Sequence, residues 1–100
     1  MIGDTSLRVI ARVKAKAGHV TQVQAILSAL VEPTRRESGC LSYELLQNGD
    51  DPADFVFVEK WMSAAAERAH FTTPHISAAL QQLAGLLATE PEICRYIVLA

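Results

Sequence analysis

Two histidines, His70 and His75, flank the run Phe71-Thr72-Thr73-Pro74, and Glu59 and Trp61 lie a short way upstream in DFVFVEKWM. Imidazole and carboxylate together can move protons near neutral pH. The surroundings are apolar, where an unpaired polar group costs about 1–3 kcal/mol and a charge more. Such groups need partners or a purpose, and a ligand pocket is one purpose.

Each residue has a structural reading beside its chemical one. Glu59 shares a strand face with Phe55, Phe57 and Trp61, so desolvation raises its pKa. It accepts a proton or orients a histidine, or it pairs with Arg12 or with a group across a subunit interface. His75 occupies the second position of a predicted helix, where the helix N-terminus disfavours imidazolium. A neutral imidazole there can act as a base beside amides able to hold an oxyanion, or it simply caps the preceding loop. His70 ends a short helix, where the charged form is favoured instead. If both line one pocket, one is a donor next to a base; otherwise His70 packs beside Phe71. Their spacing is not the i, i+4 of a metal motif, though a two-His-one-carboxylate site with Glu59 is conceivable. No metal is expected. Trp61 and Tyr43 read as core aromatics, His19 as exposed, Arg35-Arg36-Glu37 as a solvated helix end, and Thr72 and Thr73 as capping residues.

The elements that hold these groups follow from periodicity. Leu7–Ala15 alternates as a strand with one buried face. Val20, Val23, Leu27, Leu30, Val31 and Thr34 recur at helical spacing, with Gly39 as the stop, and Pro33 predicts a kink or restart near Glu32. A second strand spans Cys40–Gln47, with Leu41, Tyr43 and Leu45 on one face. Asn48-Gly49-Asp50-Asp51-Pro52 turns into a third strand, Phe55–Met62. Ser63 caps a short helix, and Thr73 caps a second that begins with Pro74 and carries the stripe Ile76, Ala79, Leu80, Leu83, Leu86, Leu87. Ile93–Leu99 is the last strand. The order βαββαβ is the α+β ferredoxin-like arrangement, an antiparallel sheet with helices on one face. The third strand is apolar on both faces, so a homodimer with sheets face to face is inferred.

The chain has 100 residues and a net charge of −2, which fits one domain over 1–100. No basic cluster beyond Arg35-Arg36 suggests nucleic acid. No run approaches the length of about 20 that crosses a bilayer, and MIGDTSLR lacks a leader pattern. Cys40 and Cys94 fit no metal spacing and read as small buried residues of a reduced, cytoplasmic protein.

Glu32-Pro33-Thr34-Arg35 with Glu37, Gly39-Cys40 and Tyr43, then Phe57, Glu59, Trp61 and Ser63, then His70 and Thr73-Pro74-His75, together resemble the antibiotic biosynthesis monooxygenase (ABM) domain family. The resemblance runs from about Leu7 to Leu99, and His70–His75 is most similar to its quinol monooxygenases. It implies a dimeric α+β barrel. It also implies a cofactor-independent monooxygenase that oxidises a small quinol or phenolic aromatic substrate with O₂. His75 would be the base or oxyanion partner, His70 a second polar group and Glu59 the orienter, with Trp61, Phe71 and Tyr43 around the substrate. Leu80 stands where haem-degrading members carry a ligating histidine, which argues against haem. No Gly-rich phosphate loop is present. Two alternatives remain: an isomerase of a small oxygenated or phosphorylated signalling metabolite, and a non-catalytic dimeric small-molecule binder.

Overall fold

A computed structural model describes residues 4–100. Met1, Ile2 and Gly3, which open the segment read as lacking a leader, lie outside the described residues. The elements are β1 (Leu7–Lys14), α1 (Val20–Ser28), α2 (Val31–Arg35), β2 (Cys40–Gln47), β3 (Asp54–Trp61), α3 (Ala64–His70), α4 (Pro74–Leu83) and β4 (Glu92–Ile97). The strands form one antiparallel sheet in the order β2-β3-β1-β4, the ferredoxin-like topology expected from the alternation of patterns.

Strand parity divides the sheet into a covered and an open face. Val9, Val13, Phe55, Phe57, Glu59 and Trp61 point to the covered face, where Val23, Leu27, Ile76, Ala79 and Leu83 of α1 and α4 complete the core. On the opposite face Ile10 pairs with Val58 and Cys94, Leu46 with Val56, and Arg8 with Tyr96. Ile10, Leu46 and Tyr96 are 39%, 46% and 50% exposed, so the second apolar side of β3 has no cover within the described chain.

Several boundaries differ from the pattern. The helical run breaks at Ala29–Leu30, ahead of Glu32, so that Pro33 falls inside a separate short helix. Its missing N–H would have had to bond Ala29, and the chain restarts instead. A bulge between Cys40 and Ser42 displaces Leu41 from its expected face and leaves it 52% exposed. The last helix stops at Leu83, and Gly85 takes a positive φ of 81°. Leu86 and Leu87 therefore lie beyond the helix, where Leu87 bridges to Ala15, and Leu80 faces outward at 54% exposure. Both cysteines are free; Cys94 is exposed, not buried, and Cys40 half-buried. They sit on opposite edge strands, more than about 14 Å apart at the usual strand spacing, too far for a disulfide. His19 is half-buried as the residue preceding α1. Among the described residues no helix is long and apolar enough to cross a membrane.

Gly39 joins the two halves of the fold. It is buried, its carbonyl accepts from Met62 N at 2.8 Å, and a Cβ there would overlap Ala66 Cβ on α3. Gly39→Ala should cost about 1–3 kcal/mol in urea unfolding through overpacking, whereas Gly49→Ala, which meets open space, should stay within about 0.5 kcal/mol.

Candidate functional site

The turn after α2 carries Glu37, whose amide donates to Thr34 O at 3.0 Å and whose carbonyl accepts from Cys40 N at 3.0 Å. The close seat of Gly39 on α3 brings this turn against the end of that helix, where His70 sits. Ser63 starts α3 by accepting from Ala66 N at 3.1 Å, so the cap expected there forms. Thr73 caps α4 through Ile76 N, and its hydroxyl donates to His70 O at 2.7 Å. That hydroxyl locks the three-residue link between the two helices that carry the histidines.

Three side chains meet at one oxygen. Glu37 Oε2 lies 2.6 Å from His70 Nδ1 and 2.7 Å from His75 Nε2. A carboxylate only accepts, so each of these ring nitrogens carries the proton. In a neutral His70 the proton on Nδ1 leaves Nε2 with its lone pair, and Nε2 has no hydrogen-bond partner among the described residues. The ring is 2% exposed, packed 4.9 Å from Trp61, 5.3 Å from Phe71 and 5.8 Å from Tyr43 between centroids.

Beside His70 is a cavity of about 70 Å³ whose walls include Tyr43, Phe57, Glu59, Phe71, Leu80 and Ile93. Leu80, Leu83 and Pro91 separate it from an open groove of about 410 Å³ along the α4–β4 connection. Of the residues singled out in the sequence, His70, Glu59, Phe71 and Tyr43 border the cavity. His75 and Trp61 do not: His75 reaches the site only through Glu37, and Trp61 lies beneath His70 and Glu59. Glu37 was named only among the residues that carry the family resemblance and was given no role at the site. As the end of a helix dense in charge it reads as solvated, and only the fold of its turn onto α3 buries it; no local pattern marks it.

Glu59 does not pair with Arg12. Arg12 lies on the open face and grips Asp54 through two bonds of 2.8 and 2.9 Å, while Glu59 faces the core and accepts from Trp61 Nε1 at 2.7 Å. Burial pushes the Glu59 carboxyl up to about 7 against the lowering effect of the indole bond. Burial likewise raises the Tyr43 phenol. A further buried carboxylate, Glu67, is neutralised by Arg95 at 2.7 and 2.9 Å, which ties α3 to β4. Among the described residues Glu37, His70 and His75 also form a set of donor atoms close enough to share a metal ion, all within 4.8 Å.

The profile of the family described as antibiotic biosynthesis monooxygenase matches residues 6–82. The chain belongs to that family. It is 35% identical over 83 residues to a Mycobacterium tuberculosis protein named provisionally as a monooxygenase, covering 83% of this chain and 80% of that one. An uncharacterised Synechocystis protein is 31% identical over 93 residues, or 93% of this chain; the match spans 63% of that relative, less than two thirds of its length. A Yersinia enterocolitica isomerase of (4S)-4-hydroxy-5-phosphonooxypentane-2,3-dione is 28% identical over 78 residues, covering 78% of this chain and 81% of the isomerase. The crystal structure of PA3566 from Pseudomonas aeruginosa superposes with a TM-score of 0.91 at 35% identity, over 96% of both chains.

The buried Glu59 makes stability depend on pH. Its folded pKa of about 7 exceeds the ordinary 4.5, so the folded state holds a proton that the unfolded chain has released between those values, and stability falls as pH rises through that window. The shift corresponds to about 3 kcal/mol. Asp54, lowered by Arg12 to about 2, acts only below the window. Urea unfolding at about pH 5 and about pH 8 should show this loss in the parent protein and a flatter dependence in Glu59→Gln.

Proposed function

We propose that the protein is a cofactor-independent monooxygenase of a small quinol or phenolic ring. The observation that carries this reading is an imidazole held by a carboxylate at Nδ1 while its ring borders an apolar cavity beside a second carboxyl that burial raises to about 7. His70 Nε2 takes the proton from the substrate hydroxyl. Glu37 keeps the ring in the reactive tautomer and stabilises the imidazolium that forms, as a positioning residue. His75 braces the same carboxylate from the solvent side.

The ring anion then reduces O₂ by single-electron steps, and the radicals combine into a carbon–oxygen bond. Glu59, protonated below its pKa of about 7, gives its proton to the peroxide anion. Loss of the remaining proton on that carbon expels the distal oxygen as water and leaves a carbonyl. One oxygen atom thus enters the product and the other leaves as water. A cavity of about 70 Å³ suits O₂ and the reacting edge of a ring, with the rest of the substrate lying past Phe71 and Leu80 toward the open groove. Burial also keeps bulk water from the anion.

A second reading has one specific support, the likeness to the Yersinia isomerase. The same base and acid could shift a proton between carbons of a small hydroxy-ketone without O₂. Turnover of such a substrate under argon, with none of a quinol in air, would select it.

The open sheet face carries Ile10, Leu46 and Tyr96 with the outer side of β3, which supports a homodimer with sheets facing each other across a two-fold axis. Both free cysteines fit a reducing cytoplasm. In a dimer, Ile10→Glu places a charge in the apolar interface and should convert the protein to monomer in sedimentation equilibrium.

Oxygen uptake with a small naphthalene-type quinol tests the chemistry. His70→Ala should lower kcat/KM by about 10²–10⁴-fold, the worth of a positioned base. Glu37→Gln should lower kcat with little change in KM, and His75→Ala should cost less than either. Unchanged uptake in His70→Ala would remove His70 from the reaction.

A further inference from the structure

We propose that Glu37, His70 and His75 form a binding site for one divalent transition-metal ion of the zinc class. Two imidazole nitrogens and a carboxylate oxygen are a donor set that zinc takes with water as the fourth ligand. Each comes from a different segment of backbone: the turn after α2, the end of α3 and the start of α4. Gly39 and the Thr73 hydroxyl hold those segments in place without any ion.

The distances are close to what an ion requires. Ligand atoms at about 2.0–2.2 Å from a tetrahedral centre lie about 3.3–3.6 Å from one another. The nitrogens are now 2.6 and 2.7 Å from Oε2, with all three atoms within 4.8 Å. The two contacts to oxygen need to open by roughly 0.6–1 Å, and the two nitrogens, within 4.8 Å of each other, need to come to the same separation. The Glu37 side chain is 13% exposed and the His75 side chain 21%, against 3% for His70, so an ion reaches the cluster from the Glu37–His75 side and a water can complete it.

Charge favours a cation there. Glu37 has no Lys or Arg partner among the described residues; nearby Arg35 is engaged by Glu32 and by Tyr43 O. A carboxylate with only imidazoles beside it has no fixed cation to balance its charge. Imidazole donors favour zinc, copper or nickel over calcium and magnesium, which prefer all-oxygen sites.

The site goes beyond the monooxygenase reading; one consequence rests on it. An ion on His70 Nδ1 takes the lone pair, so the single ring proton of a neutral His70 must sit on Nε2. That nitrogen then donates and can no longer accept. Metal binding and base chemistry at His70 exclude each other, and zinc becomes an inhibitor.

The experiment uses chelator-dialysed protein carrying Cys94→Ser, which removes an exposed competing thiol. Calorimetry with Zn²⁺ and visible absorption with Co²⁺ should give one ion per chain and ligand-field bands of a four-coordinate nitrogen–oxygen site. His75→Ala, at a partly exposed position, and Glu37→Gln should each weaken Zn²⁺ by more than about 100-fold, the upper end of what loss of an outer-shell partner costs. His19→Ala should bind as the parent does, and Mg²⁺ should not compete. No saturable Zn²⁺ binding by the folded protein, or binding unchanged in both His75→Ala and Glu37→Gln, overturns the site. Zn²⁺ that binds at these residues and leaves turnover intact upholds the site and overturns His70 as the base.

Discussion

A single carboxylate oxygen organises this molecule. Glu37 Oε2 accepts from both histidines, and three pieces of chain distant in sequence must converge for it to do so. The convergence depends on a missing side chain: Gly39 lets the α2–β2 turn settle on Ala66 of α3, and a Cβ would hold Glu37 away from His70. Thr73 supplies the other constraint by capping α4 and bonding the carbonyl of His70 at once. Ordering these groups in advance means that the tautomer of His70 is chosen by the fold before any ligand arrives.

Strand β3 shows how parity decides the chemistry of like residues. Asp54 lies toward the open face and meets Arg12 and Asn48, which hold it at about 2. Glu59, on the same strand with the opposite parity, meets only an indole N–H and is pushed up to about 7. Two carboxylates on one strand thus prefer opposite protonation states near pH 6, by environment alone.

The fold was largely legible because its signals are local. Alternation in Leu7–Lys14, caps at Ser63 and Thr73, and the turn Asn48–Asp51 each act within a few residues. The errors fell where local pattern competes with geometry. Leu86 and Leu87 continue an apolar stripe that Gly85 interrupts, Leu80 lies on that stripe within the helix yet faces outward, and Leu41 keeps its alternation in the sequence while a bulge turns it outward. Within the site, His70 and Glu59 were found as polar groups in apolar company, and Phe71 and Tyr43 through the family resemblance. Glu37 was not, because charges around it are those of an ordinary solvated helix end.

By itself, then, the amino-acid order determined the βαββαβ succession, the doubly apolar third strand and the presence of ionisable groups in an apolar setting, since each follows from spacing along the chain. Only the tertiary structure decided which of those groups are partners. It assigned Arg12 to Asp54, Trp61 to Glu59, Arg95 to Glu67 and both histidines to Glu37. A hydrogen bond requires atoms within about 3 Å, and separations of 28 to 42 residues between three of those four sets are closed by the packing of turns and helices on a sheet, which no local spacing encodes.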